Sequence, residues 1–281
     1  MHKLYVLLAG VCIATGAMAQ TDTTKPDQQH PDTIHVGNLQ IIKYGKPSSD
    51  SGYKTNVYFD HHGRQHKKNE NVSTNWGILD LGFSNFSDKT NYAGAAAQAI
   101  APGSNDDWFR LRNGKSVNVN IWIFMQRRNL IEHVVNLKYG VGLELNNYRY
   151  DAPVLYNKTT NQWAMDLTRS YRKNKLAADY LTVPLMLNFN FTPKNDNSKS
   201  FGFSGGISAG YLYSSRQKVI THEDGKQKTH DDFELQPFKI SYIAELQLGP
   251  VKLYGSLASK SMFRKGLDQT PYNFGIRLSN W

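Results

Sequence analysis

The sequence predicts an all-β protein: an antiparallel eight-stranded transmembrane β-barrel that comes after a flexible N-terminal extension. Three observations carry this. The chain opens with an export signal, eight later segments alternate apolar and polar residues with period two, and the breaks between those segments alternate long and short. Period two puts successive side chains on opposite faces of a strand. Alternating break lengths are the pattern of an up-and-down outer-membrane barrel, with short periplasmic turns and longer extracellular loops.

The first element is residues 1–19. Met1 to Lys3 gives a short basic head, Leu4 to Thr15 an apolar run, and Ala17-Met18-Ala19 a small-residue cleavage site before Gln20. This is the grammar of a secretory signal peptide, and the run is too short to span a bilayer as a helix. Cys12 is the one cysteine, and Val11 stands where a lipid-attachment site wants a small residue. Cleavage after Ala19 leaves a mature chain without a thiol, which excludes disulfides and thiol catalysis. Formal net charge is +10, and removal of Lys3 with the signal gives 10 − 1 = +9. An exported chain meets little nucleic acid, so acidic lipid head groups and polysaccharide phosphates are the expected counter-charges.

Residues 20–72 are rich in Thr, Asp, Gln, Lys, His and Pro and read as a flexible periplasmic extension. One apolar island, Ile34 to Ile42, is a strand or a docking peptide. Within the extension, His61, His62 and His66 stand beside Asp60, a donor set that suits zinc, copper or nickel. Flanking cations and the absence of a second ligand cluster favour a solvated linker, and no metal or other cofactor is expected.

The barrel is assigned to residues 73–281. Expected strands run over about 74–86, 116–126, 134–148, 180–191, 201–213, 238–248, 251–258 and 272–281. In the third, Val135, Leu137, Tyr139, Val141, Leu143 and Leu145 oppose Asn136, Lys138, Gly140, Gly142, Glu144 and Asn146. In the second, Val117, Val119, Ile121, Ile123 and Met125 oppose Asn118, Asn120, Trp122 and Phe124. Breaks are long at 87–115, 151–179 and 214–237, and short at 127–133, 192–200 and 249–250. An even strand count returns both ends of the barrel to the short-turn side. A soluble lipocalin-like carrier shares the alternation, but Tyr139, Phe189, Phe191, Tyr211, Tyr213 and Tyr242 lie on the apolar face near strand ends, as interfacial girdles do.

The segments Asn75-Trp76-Gly77-Ile78-Leu79-Asp80-Leu81-Gly82-Phe83, Gly140 to Tyr148, Tyr180-Leu181-Thr182-Val183-Pro184-Leu185-Met186-Leu187 and Met262-Phe263-Arg264-Lys265-Gly266 resemble the Bacteroidetes outer-membrane β-barrel family that includes the PorT-like proteins. The resemblance covers about Asn75 to Trp281 and implies an outer-membrane location and an eight-stranded fold, with no catalytic residues. It also implies, with the long extension, an alternative role as an accessory part of a secretion or gliding apparatus. Trp281 departs from the pattern, falling one residue out of phase with Tyr272, Phe274, Ile276 and Leu278.

The polar faces carry Asp80, Lys138, Glu144, Lys239, Glu245, Lys252 and Arg277. Unpaired charges inside a narrow barrel are costly, so these residues are expected to pair and plug it. Trp108, Arg110, Trp163 and Tyr171 in the long loops are expected as extracellular contacts, since aromatics mixed with Arg favour binding. Expected partners are outer-membrane lipid and lipopolysaccharide, the barrel-assembly machinery during insertion, and an envelope protein. A hydrolase acting on lipid A has its best case in Ser214, Ser215, His222, Glu223, His230, Asp231 and Asp232, but no spacing there is diagnostic and an enzyme is not expected.

Overall fold

The computed structural model describes residues 32–36, 39–44, 54–59, 70–193 and 199–279. The signal segment, the histidine cluster at 61–66 and Trp281 lie outside the described residues. The chain divides into two units, residues 1–67 and 68–281. In the first, β1 (Asp32–Val36), β2 (Leu39–Tyr44) and β3 (Lys54–Phe59) form a three-stranded antiparallel sheet. The apolar island is the β1–β2 hairpin, with Ile34 opposite Ile41.

The second unit contains β4 (Val72–Asp88), β5 (Val117–Ile131), β6 (Val135–Tyr150), β7 (Val154–Asn157), β8 (Gln162–Met165), β9 (Tyr171–Asn190), β10 (Phe201–Thr221), β11 (Lys226–His230), β12 (Phe238–Leu248), β13 (Val251–Ala258) and β14 (Gln269–Leu278). Eight of them close a ring in the order β4-β5-β6-β9-β10-β12-β13-β14, each antiparallel to its neighbours, and β14 pairs back onto β4. β11 adds to β10 beyond the ring, and β7 with β8 makes a separate hairpin.

Alternation decides which side chains face outward. Leu185, Leu187, Ile207 and Leu253 are among the many large apolar residues left exposed on the outer wall, while their sequence neighbours are buried within. On β9 this apolar face extends from Leu181 to Phe189, with Phe191 just past the strand end. That is close to the length a tilted strand needs to cross a bilayer, about 9–11 residues. Aromatic pairs mark both edges of the belt: Trp76 with Phe124 and Phe191 with Phe201 at the short-turn end, Tyr211 with Phe238 at the other. Trp and Tyr favour such positions because one part of the ring is apolar and another polar.

Two features differ from the strict alternation expected. Pairing between β5 and β6 shifts by one residue between Trp122 and Phe124, and Gly77, beside it on β4, has φ +67°. The extra residue reverses the facing of the rest of β5, so Met125 is buried inside although its spacing from Val117 places it on the lipid side. Second, β9 and β10 continue well past the belt, to Tyr171 and Thr221, converting much of the expected loops into paired wall. The remaining connections hold α1 (Ala95–Ile100), a short 3-10 turn η1 (Asn113–Lys115), the β7–β8 hairpin and β11.

Candidate functional site

The barrel interior is a continuous polar network. Arg277 on β14 donates to both carboxylate oxygens of Asp80 on β4, through Nε at 2.7 Å and Nη2 at 2.8 Å. This is the bidentate fork that planar guanidinium and carboxylate groups favour. Asp80, fully buried, also accepts from Trp122 Nε1 at 2.7 Å and Asn120 Nδ2 at 3.1 Å. The remaining guanidinium nitrogen of Arg277 reaches Glu245, whose other oxygen accepts from Lys138 Nζ at 2.6 Å. Nearer the outer mouth, Lys239 pairs with Glu144, which also accepts from Asn146 and Asn273 at 3.1 Å each. Asn118 joins the two groups, donating to Asn120 and to Asn146 at 2.9 Å each.

Asp80, Lys138, Glu144, Lys239, Glu245 and Arg277 are thus brought into ion pairs with one another. Lys252 lies toward the short-turn end, where its Nζ donates to the hydroxyl of Ser279 at 2.6 Å. Sequence reasoning places Asn118, Asn120, Trp122 and Asn146 on the polar face without assigning them to the network. Their uncharged side chains give no reason to expect pairing, yet they link one charge cluster to the other. Small residues make room for large ones across the lumen. A Cβ added to Gly142 would lie 2.6 Å from the Trp122 ring, and one added to Gly82 would lie 2.5 Å from the Tyr254 hydroxyl, which crosses to Asn118. A cavity of about 30 Å³ remains between Trp122, Glu144, Thr182 and Arg277, space for about one water.

Above this network the outer loops fold into an apolar cap. Trp163 from β8 packs edge-on against Phe109 at 5.7 Å and Tyr156 at 5.2 Å, with Phe263 at 6.3 Å. Phe233, Leu235, Met262 and Leu267 complete the cluster, so all the outer connections contribute to one core. The expectation of Trp163 as an extracellular contact is corrected: it is 0% exposed. Amphipathic loop sequence does not distinguish an aromatic awaiting a partner from one that packs on a neighbouring loop. Trp108 is half-buried against the same cluster. Arg110 is exposed and pairs with Asp107 at 3.2 Å. Tyr171 is half-buried, its hydroxyl donating to Asp166 at 2.5 Å. Two hydrogen-bond donors, the Thr168 hydroxyl first and Tyr171 next, hold the Asp166 carboxyl down at about 2.

Of the hydrolase candidates, Ser214, Ser215, His230, Asp231 and Asp232 line one outer cleft of about 610 Å³, but the Ser215 hydroxyl donates to the backbone carbonyl of Asp231 rather than to an imidazole. Among the described residues, no group of three or more His, Cys, Asp or Glu is arranged to hold a metal ion.

No curated protein matches the chain. The family model described as outer membrane protein beta-barrel domain matches residues 71–258, which takes in β4 to β13, and β14 completes the same ring. With its apolar outer belt, aromatic edges and polar lumen, the chain belongs to the outer membrane protein β-barrel domain family and resides in the outer membrane.

Proposed function

We propose that the chain is a non-conducting, non-enzymatic envelope protein, serving as a binding or structural element through its outer cap. One observation carries this reading: the lumen is crossed by paired charges, with a cavity of only about 30 Å³ beside Trp122 and Arg277, beneath the aromatic cluster around Trp163. An eight-stranded ring is only wide enough for its side chains. Conduction requires removing salt bridges whose partners would be left charged in a low-dielectric interior. The cap is a shared core rather than a set of free loops, which suits a fixed surface for recognition better than a mobile gate.

Purified protein in planar bilayers is expected to give no steady single-channel conductance. A stable conducting level, seen in preparations whose band shifts on boiling, would overturn the plugged reading.

A further inference from the structure

Beyond the belt, the wall formed by β6, β9, β10 and β11 carries a row of like charges. Arg149 is directly opposite Lys175, Lys175 opposite Lys218, and Lys218 opposite Lys228. These are four cations on four adjacent strands, about 4.8 Å apart from strand to strand. The row faces outward, because the alternating residues Tyr148, Tyr150, Leu176, Gln217 and Val219 are buried on the cap side. Two positions further from the belt, Lys173 and Lys226 flank Ile220 on the same face. Two positions nearer, Arg216 pairs with Asp179, the carboxylate that answers one charge of this face.

Like charges directly opposite one another destabilise a sheet. Here the crowding acts on the row itself: burial first, then Lys173, Arg216 and Lys218, pull Lys175 down to about 8. Lys218 is lowered by burial and then by Lys226, Lys173 and Lys228. The Arg149 Nε is buried without a hydrogen-bond partner among the described residues. A row kept at this cost to the sheet calls for an external polyanion with several phosphates.

We propose that this row binds the phosphorylated saccharide head group of lipopolysaccharide in the outer leaflet. Position selects this source. The row faces sideways, not toward the open end, and lies a few residues past Tyr211, Tyr213 and Leu181, the last members of the exposed apolar face. At about 3.3 Å per residue along a tilted strand, that is the level of head-group sugars. The inference deepens the binding role proposed above, and conductance does not enter its test.

Full-length barrel in detergent is titrated with phosphorylated lipopolysaccharide, the same glycolipid after phosphatase treatment, and inositol hexakisphosphate as a soluble polyanion. The double variant K175Q/K218Q, checked for its heat-dependent gel shift, is expected to bind the phosphorylated glycolipid ten- to thirty-fold more weakly, since each cation near a charged membrane surface contributes about a factor of five. K175R/K218R is expected to restore binding, and rising salt to weaken it. Equal binding by folded K175Q/K218Q overturns the proposal and turns this face toward an acidic protein. Equal binding of the phosphatase-treated glycolipid overturns it too, and binding of the soluble hexaphosphate as tight as that of the glycolipid reassigns the row to a soluble ligand.

Discussion

At the scale of single residues, Arg277 has the largest consequences. It holds two carboxylates, Asp80 and Glu245, from one end of the chain, and both are almost fully buried. Replacing it with Ala leaves Asp80 a buried anion without its cation and Glu245 held by Lys138, and breaking a buried pair in this way costs about 3–5 kcal/mol. R277A is therefore expected to unfold at a clearly lower denaturant concentration, measured by loss of the unboiled gel band in a urea series. The companion D80N/R277M removes charge on both sides and is expected to recover a large part of that loss. Asp166 gives a residue-scale effect of a different kind. Its folded value of about 2 lies below the ordinary 3.8, so its contribution to holding the β8–β9 connection is present above pH 4. That contribution falls away as pH drops from about 4 through 2. Protease protection around Tyr171 is expected to decline over that window, and D166N to remove the pH dependence by removing the ionisable group.

At the scale of elements, the strands were legible because lipid and lumen impose opposite chemistry on alternate residues. The third strand shows this best: its sequence alternates without a fault from Val135 to Asn146, and its burial from Val135 to Tyr150. What the alternation does not carry is any device that breaks phase. The shift at Ile123 is invisible in a run of Ile, Trp, Ile, Phe and Met, all apolar, so the facing of Met125 came out reversed. The strand extensions were also hidden, because past the belt the outward face of β9 and β10 is polar while their buried face mixes Asn174 and Gln217 with Leu176 and Val219, so residues such as Lys173, Lys175 and Lys218 read as loop. In the same way the network charges were legible while Asn118 and Asn146 were not. The closing pair of strands offers an element-scale test. Gly82 on β4 is directly opposite Gly275 on β14. A Cβ at Gly275 would lie 2.2 Å from the Leu81 carbonyl oxygen and 2.5 Å from the Gly82 Cα. Backbone cannot yield as a side chain does, so G275A is expected to cost at least the ~1–3 kcal/mol of ordinary overpacking. The heat-modifiable band should weaken or vanish, whereas G255A, whose added Cβ would come no closer than 3.8 Å to a neighbour, should leave it intact.

At the scale of the whole molecule, the ring, its filling and its cap are one assembly: charges occupy the middle, aromatics close the outer mouth, and the apolar belt surrounds both. The salt bridge between Asp80 and Arg277 spans 197 positions of the chain. It therefore cannot form until β14, which follows every other strand of the ring, has been exported. Until then β4 is an open sheet edge and Asp80 a solitary anion, with the intervening strands already seeking pairs. Contacts between such distant residues are slow to form, because loop-closure entropy is lost before any contact repays it. The last strand of the ring to leave the secretion channel is thus the one that both seals the wall and answers Asp80. A nascent barrel lacking it would be recognisably unfinished by two independent signs, an unpaired edge and an unbalanced charge.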